Sequence, residues 1–525
     1  MATLARALNI DRARGEGRFE VVVIGGGATG LGSAVDAAAR GYRTLLLEAG
    51  DFAHGTSSRS TKLIHGGVRY LAQGNIALVR EALHERGLLL KNAPHLVHPR
   101  RFLAPTYSWL GLGYYGIGLA CYDLLAGRSA FQRSRRMGRA RALEHVPGLR
   151  SQGLRGGIVY EDGQFDDARL AVTLARTFVE LGGTALNHAP VVGLIKQAGR
   201  VAGVQARDEE TGLALEVHAR SVVNATGVEV DAVRRLDDVG ARSILTPSQG
   251  AHVVLDRSFL GGETAVMIPR TDDGRVIFAI PWHDRLLVGT TDTPVPGATP
   301  DPRPYPEEVA YLLEHLGRYL ERPPGPEHVL STFAGLRPLL SGRPGSGTAK
   351  LSREHAVLVS ESGLVTVAGG KWTTYRKMAA DAIDQAARTG GLELKPSPTA
   401  ELKLDGWCES NGQASPYVQA NPYGSRAGAV DDLCSERPEW GVLLAAGLPY
   451  RAGEVVWAAR HEAARTVDDV LSRRTRLLFL DVRASLAAAP TVARLLAVEL
   501  GRDQGWQDRQ VADFRALAAS RLPSM

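Results

Sequence analysis

The stretch FEVVVIGGGATGLGSAVDAAARGYRTLLLEAG, residues 19–50, decides the fold class of this chain. A β-branched run at residues 20–24 predicts a buried parallel strand, and the alanine-rich residues 28–40 predict a helix that packs closely on a sheet. Residues 44–48 predict a second strand. The segment is therefore one βαβ unit, with a glycine turn between its first strand and its helix.

The glycine turn has the pattern G-x-G-x-x-G, formed by Gly25, Gly27 and Gly30. Glycine lets the backbone approach a dinucleotide pyrophosphate, which then lies at the positive end of the helix. Glu48 ends the second strand, where a carboxylate accepts hydrogen bonds from a ribose and repels a 2′-phosphate. The pattern alone is weak evidence. Strand, turn, helix and terminal glutamate together predict a dinucleotide site for FAD or NAD and disfavour NADP.

Composition limits the classes of function. The 525 residues are 44% hydrophobic and 22% charged, which predicts a globular protein of several domains. The net charge of +6 suits nucleic acid, anionic lipid or an anionic small substrate, but the basic residues are scattered. Cys121, Cys408 and Cys434 form no C-x-x-C, so the sequence predicts neither a redox dithiol nor a zinc site. Residues 109–126 are the longest apolar stretch, but they are too polar to predict a transmembrane helix.

Many sequence blocks resemble the FAD-dependent glycerol-3-phosphate dehydrogenase family. The most specific are KLIHGGVRYL (62–71), which follows TSSRST (56–61), and GGKWTTYRKMA (369–379). Others are VVNATG (222–227), GAHVVL (250–255), AGLRPL (334–339) and RHEAARTVDDVLSRRTRL (460–477). VVNATG also favours FAD over NAD, because it is a strand that ends in a small-residue turn where flavoproteins approach the cofactor again.

The resemblance implies an FAD enzyme that oxidises sn-glycerol 3-phosphate to dihydroxyacetone phosphate. No cysteine lies in the flavin blocks, so we expect the FAD to be held non-covalently. It also implies that the electrons pass to a membrane quinone. The related mitochondrial enzymes carry calcium-binding EF-hands, but this chain has no D-x-[DN]-x-[DN]-G loop. We therefore expect no bound metal.

The predicted fold class is α/β, or α+β overall. A Rossmann-like FAD-binding domain is interrupted by an antiparallel substrate-binding sheet and followed by a C-terminal all-helical domain. The segments AHVVLD, AVMIPR, RVIFAIPW and RLLVGTTD between residues 251 and 292 predict the antiparallel sheet. The predicted boundaries are 19–95, 160–243 and 333–394 for the FAD-binding domain, 96–159 and 244–332 for the substrate-binding domain, and 405–525 for the helical domain.

The resemblance also predicts the site residues. A phosphate dianion needs cations, and the hydroxyl proton needs an acceptor that titrates near neutrality. The predicted catalytic residues are His65, His252 and Arg337, and the predicted substrate-binding residues are Arg69, Tyr70, His252, Arg337 and Lys371. The predicted FAD-binding residues are Gly25, Gly27, Gly30, Glu48, Thr56, Ser57, Ser60, Lys62, Ala225, Gly227, Gly370, Lys371 and Thr374. The sequence does not decide which histidine accepts the proton.

Other functions stay open on the sequence alone. They are a glycerol-3-phosphate oxidase that uses oxygen, a flavin-dependent amine or amino-acid oxidase, and a flavoprotein without enzymatic activity. The absence of aromatic stacking motifs disfavours a nucleic-acid partner. We expect a cytoplasmic protein that touches the inner face of the cell membrane through residues 109–126, since their aromatic residues and flanking arginines suit an interface. A helix packed inside the substrate domain is an equal alternative for this stretch. The oligomeric state is open, with a homodimer as one candidate.

Overall fold

Two sheets and a group of C-terminal helices form the computed structural model, which describes residues 4–15, 17–67, 75–127, 131–269, 271–341, 355–409 and 421–523. Within these ranges the strands are β1 (Arg18–Ile24), β2 (Thr44–Leu47), β3 (Leu63–Ile64), β4 (Val97–Thr106), β5 (Arg135–Gly138), β6 (Gly156–Phe165), β7 (Thr184–Leu186), β8 (Val191–Gln197), β9 (Arg200–Arg207), β10 (Ala214–Asn224), β11 (Leu245–Asp256), β12 (Ala265–Ile268), β13 (Ile277–Trp282), β14 (Arg285–Gly289), β15 (Thr293–Pro294), β16 (Val329–Leu340), β17 (His355–Val359) and β18 (Val365–Gly369). The α-helices are α1 (Arg6–Gly15), α2 (Ala28–Ala39), α3 (Ile76–Asn92), α4 (Trp109–Ala126), α5 (Arg139–His145), α6 (Asp167–Glu180), α7 (Val230–Asp237), α8 (Pro306–Gly317), α9 (Tyr375–Thr389), α10 (Ala427–Ser435), α11 (Ala452–His461), α12 (Leu477–Leu480), α13 (Val482–Leu500) and α14 (Gln504–Ala519).

The first sheet contains the βαβ unit. Its parallel strands lie in the order β18, β10, β1, β2, β7, and the antiparallel strands β17, β8 and β9 extend it. Val21 and Val23 of β1 pack in one core cluster with α2, α6 and α9, whereas Val22 and Ile24 pack in another with α1 and β9. Apolar residues on both faces explain the unbroken β-branched run. The carboxyl ends of β1 and β2 meet at the glycine turn, where sheets of this kind bind ligands.

The second sheet is antiparallel except where β12 runs parallel to β4. Its order is β15, β11, β14, β13, β12, β4, β6, β3, with β16 paired to β11 and β5 paired to β6. Helix α8 covers it, burying Leu312 and Leu316 in the same cluster as Val253. Strand β6 begins before the predicted boundary at residue 160, and β16 continues past the boundary at 333. Backbone hydrogen bonds join β6 and β16 to the second sheet along their whole length. The predicted boundaries cut through both strands, because they were placed by sequence motifs and not by strand pairing.

The C-terminal helices α10 to α14 form one core, which includes Val455, Leu471 and Leu496. Val254 and Phe333 of the second sheet belong to the same cluster, so this domain packs on the back of the substrate-binding sheet. The predicted fold class, a dinucleotide-binding domain with an antiparallel sheet and a helical domain, is confirmed.

Candidate active site

The glycine turn leaves no room for side chains. A Cβ atom on Gly25, whose φ is +108°, would lie 2.7 Å from the carbonyl oxygen of Ala225, and one on Gly30 would lie 1.8 Å from the carbonyl oxygen of Gly25. A Cβ atom on Gly27 would lie 3.0 Å from Ser57 Oγ. The three glycines therefore let β1, α2 and β10 approach closely, and the start of α2 stays open to a ligand.

A cavity of about 590 Å³ runs from the glycine turn to the substrate-binding sheet. The predicted site residues that line it are Gly25, Gly27, Glu48, Thr56, Ser57, Ser60, His65, Ala225, Gly227, His252, Arg337, Gly370 and Lys371. Gly30, Lys62 and Thr374 are close by but do not line it. Arg69 and Tyr70 lie outside the described residues. A cavity of this kind, with a glycine cradle at one end, fits a dinucleotide with space for a small substrate.

Glu48 stands at the end of β2 and lines the cavity. Its carboxylate accepts hydrogen bonds from the backbone N–H groups of Gly26, at 2.5 Å, and Gly50, at 2.8 Å. Burial raises the pKa of Glu48, although these two N–H groups oppose the shift. The carboxylate is thus held beside the glycine turn, where a ribose hydroxyl can donate to it.

Residues 51–62, which we call the cofactor loop, cover the start of α2. Ser57 Oγ accepts the backbone N–H of Ala28 at 2.8 Å, and Thr56 Oγ1 donates to the carbonyl oxygen of Leu336 at 2.6 Å. Trp372 Nε1 donates to the carbonyl oxygen of Ser57 at 2.9 Å. These bonds tie the loop to the helix, to β16 and to the turn after β18. The hydroxyl groups of the TSSRST motif are thereby brought to the cofactor end of the cavity.

Lys62 was predicted to bind the cofactor, but its side chain lies beneath the loop. Its Nζ is fully buried and donates to Asp167 Oδ2 at 2.7 Å and to the carbonyl oxygens of Ser58 and Ser60, each at 2.9 Å. Burial lowers the pKa of Lys62 to about 8, against the opposing effect of Asp167. Lys62 therefore supports the loop from below. Its ammonium group can be buried there because three acceptors replace the water that it loses.

His252 lies on β11 and lines the cavity with a buried ring. Its Nε2 is 2.9 Å from Thr61 Oγ1, and the ring stacks on Phe333 with 4.6 Å between centroids. Burial holds the pKa of His252 well below its ordinary value, and the charges of Lys62 and Arg337 add to this effect. The imidazole is therefore neutral at physiological pH and can accept a proton.

His65 follows β3 and lines the same cavity. Its backbone N–H donates to Thr373 Oγ1 at 3.3 Å, which links the KLIHGG motif to the GGKWTT turn. The ring is partly exposed. The two predicted histidines thus come from different elements, His252 from β11 and His65 from the segment after β3, and both line one cavity.

Arg337 projects from β16, and several hydrogen bonds fix its guanidinium group. Its Nη2 donates to the carbonyl oxygen of Thr291 at 2.8 Å, and its Nη1 donates to the carbonyl oxygen of Gln249 at 3.2 Å. Asp292 Oδ1 lies 3.4 Å from Nη1. A Cβ atom on Gly250 would lie 2.4 Å from Nη2, so the glycine of GAHVVL makes room for the guanidinium.

Lys371 lines the cavity from the other domain. It follows Gly369 and Gly370, whose φ angles of +80° and +81° form a turn that residues with a side chain rarely adopt. A Cβ atom on Gly370 would also lie 2.2 Å from Met378 Sδ. The GGK motif thus directs a lysine into the cavity from a turn that only glycines allow.

Among the cavity residues that the sequence reasoning did not select are Arg59, Thr61 and Trp372. Each lies inside a block that carried the family resemblance, but a residue's place in a block does not show which way its side chain points. Arg59 is buried, and burial, together with the nearby Arg521, lowers the pKa of Arg59 to about 10. It therefore adds a positive charge to the wall of the cavity at neutral pH.

Two family models match the chain. One, described as FAD dependent oxidoreductase, matches residues 20–376, and one described as the C-terminal domain of alpha-glycerophosphate oxidase matches residues 414–509. The mitochondrial glycerol-3-phosphate dehydrogenase of Homo sapiens is 42% identical over 93% of this chain and 71% of the relative. The enzyme of Saccharomyces cerevisiae is 35% identical over 96% of this chain and 90% of the relative.

Solved structures give the same family. The glycerol-3-phosphate dehydrogenase from Bacillus halodurans, solved as a complex with FAD, is 30% identical, with a TM-score of 0.80. The match covers 100% of this chain and 99% of that one. The glycerophosphate oxidase from Mycoplasma pneumoniae is 16% identical, with a TM-score of 0.56 over 73% of this chain, and so shares the fold alone.

Proposed function

Because this chain belongs to the FAD-dependent glycerol-3-phosphate dehydrogenase family, we propose that it oxidises sn-glycerol 3-phosphate to dihydroxyacetone phosphate and passes the electrons to a membrane quinone. The observation that carries the proposal is one cavity that joins the dinucleotide cradle to the cations Arg337 and Lys371 and to the histidines His65 and His252. FAD, when bound, takes the hydride from the carbinol carbon. The chain itself must hold the phosphate, orient the carbinol and accept the hydroxyl proton.

The phosphate is assigned to Arg337 and Lys371. An arginine presents a planar fork of N–H donors, and a lysine adds a point charge, so the pair suits a dianion better than a carboxylate. Arg337 is already oriented by the carbonyl oxygens of Gln249 and Thr291, which leaves little conformational freedom to lose on binding. Arg69 and Tyr70 are assigned to the same group by the family resemblance alone.

The proton is assigned to the pair His65 and His252. His252 is neutral because of burial and neighbouring positive charge, and Thr61 Oγ1 fixes the orientation of its ring. His65 is more exposed and can exchange a proton with water. One histidine accepts the hydroxyl proton, and the other holds the carbinol oxygen by a hydrogen bond, since both face the same cavity.

A stopped-flow experiment tests this function. Under anaerobic conditions, sn-glycerol 3-phosphate should bleach the flavin absorbance rapidly. Glycerol should bleach it much more slowly, and glycine and proline should not bleach it. A short-chain quinone added afterwards should restore the absorbance faster than air-saturated buffer does. Bleaching by an amino acid would favour an amino-acid oxidase, and fast recovery with oxygen alone would favour the oxidase alternative.

Helix α4 supports the proposed membrane contact. One face packs inward, with Leu112 and Leu119 buried in the cluster that lines the second sheet. The other face exposes large apolar side chains: Trp109 by 61%, Leu110 by 87%, Tyr114 by 68%, Ile117 by 70% and Leu124 by 82%. One face therefore packs inside the substrate-binding domain, and the exposed face supports the proposed membrane contact. A half-buried helix whose exposed face carries large apolar and aromatic side chains suits the surface of a bilayer.

Basic residues border the exposed face of α4. The guanidinium groups of Arg136 and Arg155 lie 5.5 and 5.4 Å from the ring centre of Trp109, and Arg135, Arg139 and Arg141 are exposed nearby. Arginines beside an aromatic belt suit anionic headgroups. Among the described residues, no helix is both long and apolar enough to span a bilayer. We therefore propose that quinone is reached from the cytoplasmic face of the cell membrane through α4.

A further inference from the structure

Buried arginines of the C-terminal domain reach the cofactor loop. Asp51, at the start of the loop, is 1% exposed and accepts hydrogen bonds from two of them. Arg473 Nε lies 2.6 Å from Asp51 Oδ2, and the two Nη atoms of Arg474 lie 2.7 and 2.9 Å from the carboxylate oxygens. Both arginines come from the π-helix Asp469–Arg474. One end of the loop is therefore fixed by a different domain.

Arg476 holds the middle of the same loop. Its Nη2 donates to the carbonyl oxygen of Ser58 at 2.8 Å and to Asp167 Oδ1 at 3.1 Å. Its Nη1 donates to the carbonyl oxygen of Ser472 at 2.8 Å. Ser58 is flanked by Ser57, whose hydroxyl accepts the first N–H of α2, so Arg476 acts one residue away from the cofactor cradle. Asp167 is shared with Lys62, which supports the loop from below.

Arg521 secures a second wall of the cavity. Residues 294–306, PVPGATPDPRPYP, carry proline at 294, 296, 300, 302, 304 and 306, and these prolines have no backbone N–H to donate to a sheet. Thr299 and Pro300 of this proline segment line the cavity. Asp301, the next residue, is bound by Arg521 and lies 3.2 Å from Nη2 of Arg59 in the cofactor loop. These ion pairs therefore help to fasten the part of the proline segment that lines the cavity.

The acidic partners in this region do not form a metal site. Oxygen or nitrogen atoms of Asp51, His188 and Asp469 lie within 4.8 Å of one another. Arg473 donates to both carboxylates, and Asp469 also pairs with His188 at 3.0 Å. The positive charge that a cation would supply is thus provided by arginine.

We propose that the C-terminal domain completes the FAD site, with Arg474, Arg476 and Arg521 as positioning residues for the cofactor loop and the proline segment. Each guanidinium is buried, so its contacts exist only when the domain is docked. FAD binds the conformation that these contacts select, and by linkage its binding stabilises the docked domain by the same free energy. The proposal needs only the bound FAD and is independent of the substrate and the electron acceptor.

Three variants test the proposal on the holoenzyme. Arg476→Lys keeps the charge but loses the fork that joins Ser58, Ser472 and Asp167, and Arg521→Gln releases Asp301. Arg460→Gln is the control, since the exposed Arg460 binds Glu499 within the helical domain. The readout is the rate of FAD release after dilution, followed by the recovery of free flavin fluorescence. Loss of one charge-assisted hydrogen bond predicts release about 10- to 150-fold faster in both test variants and unchanged release in the control.

A second readout separates positioning from general destabilisation. Excess FAD should raise the unfolding temperature of Arg476→Lys and Arg521→Gln more than that of the unaltered enzyme, because their sites are less saturated. Hydrogen exchange in residues 469–480 should slow when FAD is added to the unaltered apoprotein. The proposal is overturned if both variants lose thermal stability equally with and without added FAD while the release rate stays unchanged. If Arg476→Lys fails to fold, Arg521→Gln alone decides the question.

Discussion

Replacing Gly250 by alanine tests the proposed phosphate contact without removing any charge. The new Cβ would lie 2.4 Å from Arg337 Nη2 and 2.6 Å from Thr290 Oγ1. The first distance is roughly 1 Å short of ordinary contact, and a displacement of that size costs about 100-fold in rate where geometry matters. The end of an arginine side chain moves easily, so the fold should survive while the guanidinium leaves its position. We expect kcat/KM for sn-glycerol 3-phosphate to fall about 100-fold.

The assay is anaerobic flavin bleaching by sn-glycerol 3-phosphate and, separately, by a high concentration of glycerol. If Arg337 binds the phosphate, Gly250→Ala should slow the first reaction and leave the much weaker second reaction nearly unchanged. Gly428→Ala is a matched control, because its Cβ would meet no atom within 4 Å. Flavin content and unfolding temperature should match those of the unaltered enzyme in both variants.

Two results would refute this reasoning. Equal slowing of both substrates would mean that Arg337 serves the carbinol or the flavin and does not bind the phosphate. Unchanged kinetics in Gly250→Ala would mean that the guanidinium shifts without consequence. Arg337→Lys separates these cases further, since it retains the charge and loses the fork-shaped donor set.

Three further predictions concern the proton, the membrane and acid stability. His65→Gln or His252→Gln should slow flavin bleaching about 10²- to 10⁴-fold, whichever accepts the proton. Loss of the ascending limb of the pH–rate profile in only one of the two variants would identify the histidine that accepts the proton. The enzyme should pellet with anionic liposomes, and Leu110→Ser with Ile117→Ser should reduce both pelleting and quinone turnover while sparing anaerobic bleaching. Val239→Ser, at an exposed valine outside α4, should leave pelleting and quinone turnover unchanged. A protein that never binds liposomes would contradict the proposed contact. Burial lowers the pKa of His54 and His95 to about 4 and of His98 to about 3, so the unfolded chain binds more protons between pH 6.5 and 4. The free energy of unfolding should therefore fall as pH drops through this range, and His98→Gln should reduce the slope by at most about 1.4 kcal/mol per pH unit; an unchanged slope would contradict this attribution.

The sequence predicted those parts of the fold that depend on local spacing. The glycine turn, the strand before it and Glu48 after it are close in sequence, and each has a residue type with one clear physical reason. Residues 306–321 have an amphipathic pattern, which is typical of a helix with one face on a sheet, and α8 forms there. Spacing carries less information about pairing between distant strands, so the extent of β6 and β16 in the second sheet was not predicted.

The residues of the cavity were predicted from sequence motifs, and this explains which of them the prediction found and which it did not. His252 and Arg337 were selected because histidine and arginine suit proton transfer and phosphate binding. Arg59 and Lys62 sit in the same motif, TSSRSTK, and the sequence does not indicate which one points into the cavity. Arg476 is 309 residues from Asp167, so only the folded chain brings them together. Its block, RHEAARTVDDVLSRRTRL, did resemble the family, and its buried arginines are the reason that a helical domain carries so specific a motif.

The charges around His252 couple substrate binding to proton transfer. Its pKa is lowered first by burial and then by Lys62 and Arg337, so the empty site disfavours the protonated ring. A phosphate dianion on Arg337 would offset one of these positive charges, and the affinity of the imidazole for a proton would rise when the substrate arrives. The expected consequence is that inorganic phosphate, bound without a carbinol, raises the pKa of His252. An NMR titration of the His252 ring with and without phosphate would measure this shift, and Arg337→Lys should reduce it if the guanidinium is the group that binds the dianion.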